Sequence, residues 1–120
     1  MHTIHEDEVA YRSLPGREHK MIVGPTNFGR ARSMCFGVAL FPARSHAPAH
    51  VHEGAEEIIY VLSGEGFIHF DGHPEAVRPG SCAYVPPRVE HSIENSSGSP
   101  MKVAYVFSPP VAQGSYDRPT

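Results

Sequence analysis

From Met34 to Phe41 nearly every side chain is apolar or small. Met34, Phe36, Val38 and Leu40 share one face of an extended chain, and Cys35, Gly37, Ala39 and Phe41 share the other. With neither face polar, the pattern predicts a strand buried on both sides or set in a barrel wall. Met101 to Phe107 alternates and predicts a closing strand, and Ile58 to Leu62 reads as a buried strand stopped by the turn Ser63-Gly64-Glu65-Gly66. Shorter strands are predicted over Phe67 to Phe70, Ser81 to Val85 and His91 to Glu94. Asp71-Gly72 is a two-residue hairpin signal, and Val77 to Gly80 and Asn95 to Pro100 read as turns. Upstream, EVAYR and HKMIV are strand candidates separated by Leu14-Pro15-Gly16. Pro42 to Ala49 cannot extend a strand, because two prolines remove ladder donors.

Many short antiparallel strands predict an all-β fold, a small barrel or jelly roll in a single domain. Twelve prolines and eleven glycines in 120 residues argue the same way, and no window carries a helical repeat. Residues 1–32 read as an extended N-terminal arm of the same domain, 33–108 as the barrel and 109–120 as an irregular tail. A formal charge of -3 gives no basic footprint for nucleic acid. The first ten residues lack the basic start and apolar stretch of a secretory signal, and no apolar run is long enough to span a bilayer. A cytoplasmic protein is expected, with no membrane partner. Cys35 and Cys82, each in an apolar, strand-like context, are expected as buried free thiols in a reducing compartment.

The chemistry gathers in HVHEGAEEIIYVLSG, His50 to Gly64. His50 and His52 stand two apart and point to one side of an extended chain, and Glu57 follows. Imidazole nitrogen and carboxylate oxygen together suit a divalent transition metal. A histidine pair alone is unspecific in a chain with nine histidines, but a second segment, PGSCAYVPPRVEHSIEN, adds His91. Together the two segments resemble the paired motifs of single-domain cupins. His50, His52, Glu57 and Gly64 fit the first motif, and Gly80, Pro86, His91 and Asn95 fit the second. The resemblance runs from about Met34 to Phe107. Arg44 and Arg88 stand where the motifs usually have glycine, departures that touch loop shape.

The resemblance implies a cupin-type double-stranded β-helix, in which His50, His52, Glu57 and His91 would ligate one divalent transition metal per chain: manganese, iron, nickel or zinc. Three imidazoles and a carboxylate would leave an octahedral ion two open positions, which a substrate with two neighbouring oxygens can fill. Such a site suits Lewis-acid isomerase, epimerase or lyase chemistry, or oxygenase chemistry with a redox metal. The expected function is therefore a metal-dependent enzyme acting on a small oxygen-rich metabolite such as a sugar, hydroxy acid or keto acid. A non-catalytic cupin binding a small ligand, as sensor or carrier, is the alternative. Candidate acid-base groups are His69, which shares a face with Phe67 and is otherwise a satisfied core histidine, His46 in the ligand-bearing loop, and Tyr60, which alternates away from Glu57. Arg44, Arg88 and Tyr84 are candidate substrate contacts. His2, His5, His19 and His73 lie in terminal or turn-like segments, where exposure is expected. Small cupins commonly pair, so a homodimer is expected, with the N-terminal arm along a barrel edge or across the interface.

Overall fold

The computed structural model describes residues 2–111, so residues 112–120 of the expected tail lie outside the described part. A short 3-10 turn (Glu6–Glu8) precedes the strands β1 (Arg12–Leu14), β2 (Arg17–Gly24), β3 (Phe28–Gly29), β4 (Cys35–Phe41), β5 (Ser45–His46), β6 (Glu56–Ser63), β7 (Gly66–Phe70), β8 (His73–Val77), β9 (Cys82–Val85), β10 (His91–Asn95) and β11 (Met101–Ser108). They form a seven-stranded sheet in the order β1-β2-β4-β11-β6-β9, with β3 beside β2, and a four-stranded sheet in the order β5-β10-β7-β8. This is the expected jelly-roll arrangement. At the β7–β8 hairpin, Asp71 (φ 49°) and Gly72 (φ 83°) both take positive φ, as a two-residue loop between twisted antiparallel strands requires.

Register sets what faces inward. On β6, Glu57, Ile59 and Val61 are buried while Glu56, Ile58, Tyr60 and Leu62 are exposed. On β11, Met101, Val103, Tyr105 and Phe107 are buried. These inward faces meet Phe41 and Ile68 in one core cluster, where apolar burial drives the closure of the two sheets.

The expected lead-in supplies β2, which pairs antiparallel with β4 over Glu18↔Leu40 to Val23↔Phe36. Residues before it fold over the outer face of the same sheet. Lys20 Nζ donates to the Glu6 carbonyl at 2.8 Å and lies 4.3 Å from the centre of the Tyr11 ring, and Lys102 Nζ pairs with Glu6 Oε1 at 2.6 Å. The expectation of buried thiols holds for Cys35 but is corrected for Cys82, which is exposed. Cys82 pairs with Tyr60 across β6 and β9 and shares its outward face.

Asn95 ends β10 with no exposed surface. Its amide donates to the carbonyls of Phe41 (3.1 Å), Pro42 (3.1 Å) and Ser99 (2.7 Å), and its oxygen accepts from the Ser97 amide and hydroxyl. One side chain thus satisfies several backbone groups where two chain crossings meet. Asn95→Ala leaves those carbonyls without that donor and is expected to lower stability by about 2 to 4 kcal/mol, read as a shift of the urea midpoint.

Candidate metal centre

The loop after β5 delivers His50 and His52, the start of β6 delivers Glu57, and the start of β10 delivers His91. A reciprocal pair of backbone hydrogen bonds, His50 N–H to His91 C=O and His91 N–H to His50 C=O, both 3.0 Å, ties the loop to β10. The Arg88 amide donates to the His52 carbonyl at 2.9 Å and closes the loop from the other side. The result is four candidate ligand atoms, one from each residue, all within 4.8 Å of one another.

Two of the three imidazoles are oriented through their Nδ1 atoms. That of His91 lies 2.9 Å from the Val89 carbonyl and that of His50 lies 3.2 Å from the Pro48 carbonyl. A ring nitrogen that donates to a carbonyl leaves its Nε2 as the lone-pair atom, the form in which histidine ligates metal. His52 packs edge-on against Phe107, with ring centroids 4.7 Å apart. Its Nε2 is buried and has no hydrogen-bond partner. Buried polar atoms are nearly always partnered, and one facing two other imidazoles and a carboxylate fits a transition metal ion.

Electrostatics agree with that fit. Burial lowers the pKa of His50 to about 3, helped by the charges of His91, His52 and Arg17 and opposed by the Pro48 carbonyl. Burial, with the charge of His91, lowers that of His52 to about 4. Both rings are therefore neutral at ordinary pH, as ligands must be. Burial raises the Glu57 carboxyl above its usual range, against the hydrogen bond and charge of His91 and the charge of Arg17. For His91 burial acts downward, but the hydrogen bond to Glu57 (Nε2 to Oε1, 2.7 Å) and the Glu57 charge prevail and raise it. The pair holds a proton that a metal ion would have to displace.

Beside these residues lies a small cavity of about 40 Å³, partly open to solvent. His50, Glu57 and His91 reach it from one side, while Phe41, Ile59 and Val103 contribute apolar wall. Arg17, His19 and Tyr105 complete its polar lining.

The other candidate residues lie elsewhere. His69 does not point into the barrel: β7 turns Ile68 inward, and His69 bonds Glu94 Oε1 at 2.9 Å on the outer side of the small sheet. His46 is exposed on β5, opposite Glu94. Tyr60 and Tyr84 are exposed on the outer face of the large sheet, and the Tyr84 hydroxyl donates to Glu56 at 2.7 Å. Arg44 and Arg88 are exposed and do not line the cavity. Their backbones take φ of 52° and 67°, the left-handed region that glycine adopts without strain.

The exposure expected of His19 is corrected, since it is 2% exposed inside the barrel. Arg17 and Tyr105 were also not among the candidates. Alternation in Arg17-Glu18-His19 and Val103-Ala104-Tyr105 could have found all three once the buried parity was known.

A family model described as a cupin domain matches residues 37–107. An uncharacterized protein of Methanocaldococcus jannaschii is 36% identical over 72 residues, 60% of this chain and 58% of that protein. An oxalate-binding protein of Thermotoga maritima is 31% identical over 76 residues, 63% of each chain. The match thus spans less than two thirds of the length of either relative. A Thermotoga maritima crystal structure described as a predicted oxalate decarboxylase superposes with a TM-score of 0.80, covering 90% of this chain and 99% of that one at 22% identity, a likeness of fold alone. With the family match covering more than half of the sequence and the two-sheet barrel in place around it, the chain belongs to the cupin family.

Proposed function

We propose that this protein is a divalent-metal-dependent enzyme acting on a small oxygen-rich metabolite, a sugar, hydroxy acid or keto acid. The observation that carries the reading is the convergence of His50, His52, Glu57 and His91, three of them at the wall of a cavity, with His52 Nε2 buried and without a hydrogen-bond partner. These residues would hold one manganese, iron, nickel or zinc ion, and the bound ion would supply Lewis acidity toward a carbonyl or hydroxyl oxygen. The protein's own part is to keep two imidazoles neutral, to give up the proton held between Glu57 and His91 when the ion enters, and to set the substrate beside apolar side chains.

The test is α-proton exchange in deuterated water, followed by NMR for a panel of sugars, hydroxy acids and keto acids, with oxygen uptake recorded in parallel. Metal-dependent exchange or oxygen uptake with one substrate class is expected. Tight binding of a panel compound without exchange or turnover under any of the four metals would favour the second reading, a non-catalytic binding protein. That reading draws support from the relative named for binding oxalate.

We also propose a homodimer. Ile58, Tyr60, Leu62 and Tyr84 are between 45% and 55% exposed on one face of the β6–β9 side of the large sheet, a concentration of large apolar groups that a second copy would cover. Sedimentation should show a dimer that Leu62→Arg converts to monomer with its strand content intact. A monomeric wild-type chain would contradict this. Two free thiols fit a reducing, cytoplasmic setting.

A further inference from the structure

Three imidazoles converge, but they are not held alike. The χ2 torsion of a histidine is broad, so the plane of its ring needs a restraint from outside. For His50 and His91 that restraint is a carbonyl facing Nδ1, supplied from two residues away by Pro48 and Val89. His52 makes no such bond to any described residue. The Arg88 amide holds its backbone carbonyl, which leaves the ring itself unfixed. The ring is nevertheless well placed: the residue is 6% exposed, and its buried Nε2 lies 4.0 Å from Glu57 Oε1.

What touches the ring is aromatic. The centre of the Phe107 ring lies 4.7 Å from that of His52 with the planes at 75°, nearer than His50 at 5.0 Å or His91 at 5.6 Å. Edge-to-face is an arrangement that aromatic pairs favour, and a flat face sets the plane of the ring against it. Phe107 is itself tightly held. It sits on β11 between β4 and β6, opposite Cys35 on one side and Glu57 on the other, with 2% of its surface exposed and the Tyr105 ring 5.4 Å away. One residue is thus the cross-strand neighbour of Glu57 and the packing partner of His52, on a strand that carries none of the four converging residues. A role in filling the core alone would be met by any apolar side chain of similar volume, but only a ring presents a plane.

We propose that Phe107 is the positioning residue for His52, an aromatic face acting on this ring as a backbone carbonyl acts on the other two. The assignment rests on the metal-centre reading for its functional meaning, and it makes metal affinity depend on a residue that offers no ligand atom. Leucine or methionine at this position fills the space without a flat face, so the His52 ring turns and its Nε2 samples directions away from the ion.

The experiment is calorimetric titration of the full-length protein with zinc, beside Phe107→Leu, Phe107→Met and Ile68→Ala, with urea unfolding of each. Ile68→Ala truncates the same core cluster on β7, a strand without a candidate ligand. Both position-107 variants are expected to weaken zinc about 10-fold, at the low end of what losing an outer-shell partner produces. Ile68→Ala should lower the urea midpoint and leave zinc affinity unchanged. In a His52→Ala background Phe107→Leu should cause no further loss, because Phe107 acts through that ring. NMR of the metal-free proteins reads the orientation itself. The His52 ring protons should be displaced by the Phe107 ring current in wild type and return to ordinary positions in Phe107→Leu, with those of His91 unmoved.

Equal zinc affinity of wild type and the position-107 variants, an equal loss in Ile68→Ala, additive losses in the double variant, or His52 ring protons undisplaced in wild type would overturn the assignment. Absence of zinc binding by wild type would count against the metal-centre reading, while the NMR comparison still decides whether Phe107 orients His52.

Discussion

His91→Ala is expected to lower the affinity for manganese, iron, nickel or zinc by at least about 100-fold, a larger loss than removing an outer-shell partner produces. His91 bonds Glu57 at 2.7 Å and its ring lies tilted against that of His50, with centroids 4.3 Å apart, so its loss removes one candidate ligand and loosens two others. The fold should survive, because the two hydrogen bonds joining His91 to His50 belong to the backbone. Metal titration by calorimetry, with circular dichroism as the folding control, gives the result. In wild type the same titration should release close to one proton near neutral pH, the one held by the Glu57–His91 pair, whose pKa values are both raised. Unchanged affinity in the variant would remove His91 from the ligand set.

The second large effect is acid lability of the metal-free protein. His50 and His52 have folded-state pKa values of about 3 and about 4, below the unfolded imidazole value of about 6.5. Between those limits the unfolded chain binds more protons than the folded one, so stability rises with pH. The contribution is fully present above about pH 6.5 and is lost as pH falls toward 3, on the order of 5 kcal/mol for the two rings together. His91 works in the opposite sense: its folded pKa is raised, so what it contributes is present below about pH 6.5 and disappears as pH rises through its folded value. Urea unfolding of chelator-treated protein at stepped pH should therefore show a steep decline below pH 6, and His50→Gln should flatten it. A midpoint independent of pH between 6.5 and 4 would contradict the buried neutral state of both rings.

The facing of His50 and His52 was legible from strand alternation, while the joining of Glu57 and His91 to them was legible only through the resemblance to the paired cupin motifs, since His91 lies 34 residues beyond Glu57. Two residues apart on extended chain means one face, and Pro42 and Pro48 end the preceding strand before the histidines. The positive φ of Arg44 and Arg88 was also foreshadowed, at positions where glycine is usual. What could not be read was the cavity's far wall. His19 looks like part of a terminal lead-in until β2 is paired with β4, and the reach of Tyr105 to it depends on Gly37, a contact between three strands far apart in sequence. His69 fails as an inward group for a related reason. In Phe67-Ile68-His69-Phe70 both parities are partly apolar, and only the register with β10 shows that Ile68 is the buried one.

One measurement bears most directly on the whole account: elemental mass analysis of the purified protein beside a His50→Ala, His91→Ala double variant. The account predicts a near-stoichiometric divalent transition metal in wild type and none in the variant, and its identity divides the chemistry, iron keeping oxygenase reactions open and zinc removing redox ones. No metal in either protein, even after reloading with manganese, iron, nickel and zinc, would contradict it and leave a small-molecule-binding cupin.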